Sequence, residues 1–204
     1  MRIDVFTLFP EWFDWMRRAR HLVNATHDAG LEIRCFSYRD STPLPAGQID
    51  DAPFGGGPGM VIRVDVVAAA LEAVYGEAAE RVRDSRRVAV LTPRGRQFRD
   101  GLAQELAEID ELVLLCGRYE GFDERVHEHL ANESLCLGPF VLAGGETAAM
   151  AMIDAIGRKL PGALGNADSL HDESFSDGLA GKVEYPHYTR PAEFRGWGVP
   201  EVLR

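Results

Sequence analysis

The sequence predicts an α/β fold: a mostly parallel sheet with helices on both faces, followed by a C-terminal extension. Short apolar runs alternate with longer stretches of helical periodicity, the pattern of strand–helix–strand crossovers. Several of these runs also stop abruptly at glycine-rich loops, as strands do at the ligand-binding end of an open sheet.

Taken in order, "IDVFTLF" (3–9) reads as the first strand. Pro10 suits the first turn of a helix running through "EWFDWMRRARHLVNATHDA" (11–29), and Gly30 suits a left-handed stop. "LEIRCFSY" (31–38) alternates as a second strand. Residues 39–63 form an irregular Pro- and Gly-rich stretch, long enough that a functional or mobile loop is expected. "VDVVAAALEAVYG" (64–76) is helical, with Asp65 near its start and Gly76 at its end. "RRVAVLT" (86–92) is a strand, "RDGLAQELAEI" (99–109) a helix and "ELVLLC" (111–116) another strand. A short helix around "ERVHEHL" (124–130) and a strand at "ESLCLG" (133–138) follow. The last predicted helix spans 146–160, where Ala149, Met152, Ile153, Ile156 and Leu160 mark one apolar stripe. Beyond Leu164 the chain is polar, rich in Gly and Pro, and without periodicity.

At 204 residues the chain is long enough for one domain with a smaller appendage. Its composition, 46% hydrophobic and 26% charged, is that of an ordinary soluble globular protein. Cys35, Cys116 and Cys136 lie far apart with no C-x-x-C pair, a reducing, cytoplasmic pattern and not a disulfide or zinc framework. No signal peptide and no apolar window of membrane-spanning length is expected. The net charge of −10 argues against a nonspecific nucleic-acid binder, which would be basic. The basic clusters "MRRAR" (16–20), "RVRDSRR" (81–87) and "PRGRQFR" (93–99) are expected to be solvated helix faces and ends.

Several familiar motifs fail. "FGGGPGM" (54–60) fits neither a dinucleotide fingerprint nor a P-loop and reads by itself as a flexible turn. No Gly-x-Ser-x-Gly elbow occurs. His127 and His129, two apart, would point to different sides of a helix and are expected to be surface histidines. What remains is a set of strand-to-loop junctions, "VLTPRGR" (90–96), "LLCGRYEGFDER" (114–125) and "LGPFVLAGGE" (137–146). Converging at strand ends, these Gly-rich loops could bring backbone groups close to one small molecule, with Glu120 placed to meet a cationic group.

The chain also resembles a known family. "TLFPE" (7–11), "DDAPFGGGPGM" (50–60), "LTPRGR" (91–96), "CGRYEGFDERV" (116–126), "GPFVLAGGE" (138–146), "LPGALGN" (160–166), "DESF" (172–175) and "YPHYTRP" (185–191) occur in order across nearly its whole length. Together they resemble the bacterial tRNA (guanine-N(1)-)-methyltransferases, the TrmD type of the knotted SPOUT class. The resemblance implies a trefoil knot, a homodimer with active sites at its interface, and S-adenosyl-L-methionine bound in a bent shape. It implies methylation of ring nitrogen 1 of the guanosine 3′ to the anticodon in tRNA, with Mg²⁺ as a possible further requirement. A knotted adenosyl-binding dimer that is noncatalytic, or acts on another RNA, is the alternative.

Carried over by motif, the cofactor-binding residues are Thr92 and Pro93; Gly117, Arg118, Tyr119, Glu120 and Gly121; and Leu137, Gly138, Pro139, Phe140, Val141, Leu142, Gly144 and Gly145. Glu173 is the implied catalytic base, with neighbouring Asp172 a competitor for the role. Arg158 is the implied catalytic arginine; spacing alone would instead pair it with Asp154, four residues earlier on a helix. No dedicated metal ligands are expected. Ala52, Pro139 and Phe140 depart from commoner family residues, and Pro139 removes an amide donor. On this reading 1–164 is the methyltransferase domain. Residues 165–204 are expected to be an interdomain linker and the start of a truncated tRNA-binding domain, leaving tRNA affinity weak.

Overall fold

The computed structural model describes residues 1–165 and 173–204. His171 and the candidate base Asp172 lie outside the described residues. The chain divides into two compact units, Met1–Ala167 and Asp168–Arg204.

The first unit is built on a five-stranded sheet of β1 (Arg2–Thr7), β2 (Glu32–Ser37), β5 (Arg87–Gln97), β6 (Glu111–Cys116) and β7 (Glu133–Cys136), in the order β2-β1-β6-β5-β7. Every pairing in it is parallel. A parallel sheet is covered on both faces, and its inner strands accordingly read as continuous apolar runs. In "ELVLLC" the residues from Leu112 to Cys116 are all buried.

Alternate side chains of these strands feed two cores. Ile3, Val5, Leu112 and Leu114 pack against α1 (Arg20–Ala29), α4 (Asp100–Ala107) and α5 (Glu146–Gly157). Phe6, Val88, Val90, Val113 and Leu115 face α2 (Val64–Tyr75), α3 (Ala79–Ser85) and the turn Val126–Leu130. The stripe Ala149, Met152, Ile153, Ile156 and Leu160 lies in the first core. Gly30 and Gly76 end α1 and α2 in left-handed conformation, as predicted. Two short strands, β3 (Asp50–Asp51) and β4 (Val61–Ile62), pair antiparallel at the base of the 52–60 loop.

Four elements differ from expectation. The helix predicted from Pro10 is broken into 3₁₀ turns at Pro10–Phe13 and Met16–Arg18, and α1 starts only at Arg20. Phe13 and Met16, three residues apart, are both drawn into the core, a spacing that 3₁₀ turns satisfy. The helix α3 went unread because its charges hide a narrow apolar edge, Ala79 and Val82. The segment 126–130 forms a π-helical turn that buries Val126 and Leu130.

Strand β5 also extends beyond Thr92. Leu91 and Arg96 both pair with Leu135, so residues 92–95 are looped out of the ladder at one point. Gly95 sits where a β-carbon would collide with the Leu135 backbone.

In the second unit, described from Glu173, β8 (Glu193–Phe194) and β9 (Trp197–Gly198) form a small antiparallel hairpin. Its strands are exposed, with no periodicity long enough to have been visible in the sequence.

Candidate active site

The three strand-end loops do converge. The looped-out segment of β5, the turn after β6 and the segment after β7 enclose a cavity of about 340 Å³ at the carboxyl ends of their strands. That volume lies within the range of small-molecule sites. Of the residues predicted to bind cofactor, Thr92, Pro93, Gly117 to Gly121, Leu137, Phe140, Val141, Leu142, Gly144 and Gly145 line it. Gly138 and Pro139 do not; they turn the chain between two lining residues.

Sequence reasoning missed other parts of the wall. Leu91 and Leu135, adjacent on paired strands, form an apolar side together with Ala148 of α5. His127 also lines the cavity, contrary to its reading as a surface histidine. The π-helical turn carries it inward, where Nδ1 lies 3.0 Å from Ser134 Oγ and the ring meets the Phe122 ring edge-on. The only signal in the sequence was its position close behind the "GFDER" loop.

Burial holds the His127 pKa below its ordinary value; Glu124 opposes this and Arg94 adds to it. The unfolded chain therefore takes up this proton first, at a pKa near 6.5. Stability carried by neutral His127 is complete above that pH and is lost as pH falls towards the lower folded pKa. Thermal melts between pH 7.5 and 5.5 should show a smaller acid loss in His127→Gln than in the unmodified chain.

The loop after β6 is held from several sides. Tyr119 takes φ 59°, an uncommon left-handed conformation for a bulky residue, and turns the chain back between Arg118 and Glu120. The Glu120 N–H donates to Met60 O at 3.0 Å, and the Ile62 N–H donates to Gly121 O at 2.9 Å. These bonds bring the "FGGGPGM" loop against the cavity's edge, and Gly59 lies directly against the Glu120 side chain. On the far side, Gly145 N–H donates to Gly117 O at 2.9 Å, and Arg118 bridges to Gly144.

The charges divide at Gly121. Asp123 accepts from both the backbone and the guanidinium of Arg125, which lowers its pKa. Glu124 pairs with Arg94 at 2.6 Å, and that contact lowers its pKa too. Glu120 is the only acid among the described residues lining the cavity. Cys116 is fully buried beneath the loop, and burial pushes its thiol well up, as suits a small packing residue.

The cavity thus combines apolar side chains and Gly-rich backbone with a single carboxylate among its described lining residues. The family model described as tRNA (Guanine-1)-methyltransferase TrmD matches residues 1–204. The chain belongs to this family. It is 46% identical over 203 residues to the tRNA (guanine-N(1)-)-methyltransferase of Brevibacillus brevis strain 47, covering 100% of this chain and 80% of that one. The same-named proteins of Geobacter metallireducens and Dehalococcoides mccartyi strain CBDB1 are 48% and 44% identical, with 80% and 79% of their lengths covered.

Of the remaining candidates, Arg158 of this TrmD-family chain is not among the described residues that line the cavity. Arg158 follows α5 directly, its backbone N–H donating to Asp154 O at 3.2 Å. The Asp154 carboxylate meets His21 Nε2 at 3.0 Å. Glu173 belongs to the second unit, where its carbonyl accepts from Ser176 N–H at 3.1 Å.

One substitution tests the cavity's floor. A β-carbon on Gly145 would sit 2.8 Å from the Cys116 α-carbon, backbone against backbone. Gly145→Ala is expected to push the segment after β7 off β6, at a cost of about 1–3 kcal/mol. Calorimetry should find its S-adenosylmethionine affinity at least tenfold lower.

Proposed function

We propose that this chain methylates ring nitrogen 1 of the guanosine 3′ to the anticodon in tRNA, with S-adenosyl-L-methionine bound in the cavity between β5, β6 and β7. The observation that carries the reading is the full-length family match, together with the convergence of its motif loops on one cavity.

S-adenosylmethionine, when bound, supplies a methyl group on a sulfonium, ready for attack by a nucleophilic ring nitrogen. Leu91, Leu135, Leu137 and Ala148 would offer its adenine an apolar wall, and Glu120, the one carboxylate among the described lining residues, would favour its cationic groups. Guanine N1 carries a proton at neutral pH, so a base must take that proton as the methyl arrives. Glu173, or Asp172 beside it, is the candidate. Negative charge then develops on the guanine carbonyl oxygen, and Arg158 is the candidate to stabilise it. Holding the nucleophile in line with the methyl supplies much of the remaining rate.

The chain is read as trefoil-knotted. In support, the segment after β7 crosses β5 to reach β6, where Gly145 meets Gly117, while residues 92–95 loop out of the strand it crosses. It is also read as a homodimer. Tyr119, Phe140, Val141 and Leu142 at the cavity are 54%, 52%, 83% and 38% exposed, a large apolar surface for one chain to leave open. Among the described residues no three metal-ligating side chains cluster. Magnesium would therefore rest on a carboxylate such as Glu120 together with water and substrate oxygens. No described helix is long and apolar enough to cross a membrane, and the tRNA substrate and free cysteines support a cytoplasmic location.

Incubation with methyl-labelled S-adenosylmethionine and saturating tRNA transcripts tests the function. Label should enter tRNA with guanosine after the anticodon and not its adenosine counterpart. Equal labelling of both, or labelling of neither, would refute the reading.

A further inference from the structure

The Arg118 side chain lines the cavity, but its charged end is engaged within the protein. Its Nε lies 3.1 Å from Oε2 of Glu146, the first residue of α5, and Nη1 donates to Ala143 O at 3.3 Å. The guanidinium sits over the rings of Phe9 and Trp12, 4.6 and 5.1 Å from their centroids. Glu146 is 1% exposed and Thr7, at the end of β1, is fully buried. Thr7 Oγ1 donates to Glu146 Oε1 at 2.9 Å and accepts from Phe9 N–H at 3.0 Å. Among the described residues, Arg118 Nε and Glu146 Oε2 have no hydrogen bond, so their contact is electrostatic. A β-carbon on Gly144 would strike both side chains.

A buried carboxylate is costly without partners. Here it has two, one on β1 and one on the loop after β6, while it is itself joined to the segment after β7. The loop after β6 and the segment after β7 are thus tied to each other and to the end of β1 through one ion pair. The pair also sets the cavity's charge. Arg94 is matched by Glu124 and Arg118 by Glu146, which leaves Glu120 as the charge without an ion pair among the described residues lining the cavity.

We propose that Glu146 and Thr7 are positioning residues of the cofactor site. Thr7 orients Glu146, and Glu146 both fixes the Arg118 loop and cancels the Arg118 charge, so that the cavity accepts a sulfonium cation. The inference rests on S-adenosylmethionine being the ligand. It predicts a particular signature, because the donor carries one more positive charge than its neutral thioether product, S-adenosylhomocysteine. Glu146→Gln leaves Arg118 uncompensated beside the ligand. Loosened loops would weaken both ligands, and the exposed arginine charge would weaken the cation further.

Calorimetry on the whole chain, with each ligand in turn, makes the test. Glu146→Gln should lose affinity for both, by on the order of tenfold more for S-adenosylmethionine, the size expected of one added charge at an effective protein dielectric. The double variant Glu146→Gln/Arg118→Gln should return the ratio of the two affinities to that of the unmodified chain, though both stay weakened. Thr7→Val keeps both charges and should weaken the two ligands by the same few-fold, which keeps the test open if Glu146→Gln does not fold. Equal loss of both ligands in Glu146→Gln, or no loss in Thr7→Val, would overturn the proposal. An unmodified chain that binds neither ligand would instead overturn the proposed function on which it rests.

Discussion

Replacing Glu173 by Gln is expected to lower the methyl-transfer rate by about 10²–10⁴-fold, the contribution of a positioned general base. The amide keeps the size of the side chain and removes its ability to take the guanine N1 proton. Because this proton moves only in the reacting complex, the loss should fall on kcat, with S-adenosylmethionine affinity by calorimetry unchanged. Asp172→Asn should then cost far less. If the two variants lose activity equally, the base is not Glu173 alone. Arg158→Ala should also reduce kcat, by about 10²–10³-fold, if its guanidinium meets the developing negative charge.

The second large effect concerns stability. Asp4, in the centre of β1, is 2% exposed and holds several partners at once. Arg34 of β2 donates to both its oxygens at 2.7 and 2.6 Å, and the Tyr75 hydroxyl of α2 donates at 2.7 Å. Arg2 Nε adds an ion contact at 3.4 Å. Burial and the bond to Asp4 push the Tyr75 pKa up, and Asp4 raises that of Arg34, so both remain donors across the working range. Asp4→Ala leaves the half-buried Arg34 and Tyr75 without this acceptor. Because Arg34 keeps part of its hydration, the cost is that of leaving hydrogen-bonding partners unmatched, about 1–3 kcal/mol, and urea unfolding should show a loss of that size. Asp4 is not among the residues lining the cavity, so the protein that remains folded should still bind S-adenosylmethionine.

Much of the fold follows from local signals. The buried run "ELVLLC" needed no partner to be read as a strand, and Gly30 and Gly76 fix the ends of α1 and α2 by conformation alone. The convergence of the strand-end loops also follows from a general rule, since ligand sites in parallel sheets lie at the carboxyl ends of strands. What stayed hidden depends on contacts between distant residues. Thr7 and Glu146 are 139 positions apart, and neither type at its position suggests a bond to the other. Asp4 and Tyr75 are separated by 71 positions. His127 was misread because its inward direction comes from a π-helical turn, whereas the spacing argument assumed an ordinary helix. The break after Phe13 likewise reflects core packing that overrides a continuous helical pattern.

The measurement that bears most directly on the account is the identity and position of the methylated nucleoside. After reaction with a guanosine-bearing tRNA transcript, nuclease digestion and mass spectrometry should find 1-methylguanosine, one per molecule, in the fragment immediately 3′ to the anticodon. A methyl group on any other nucleoside, or on guanosine at a different position, would contradict it.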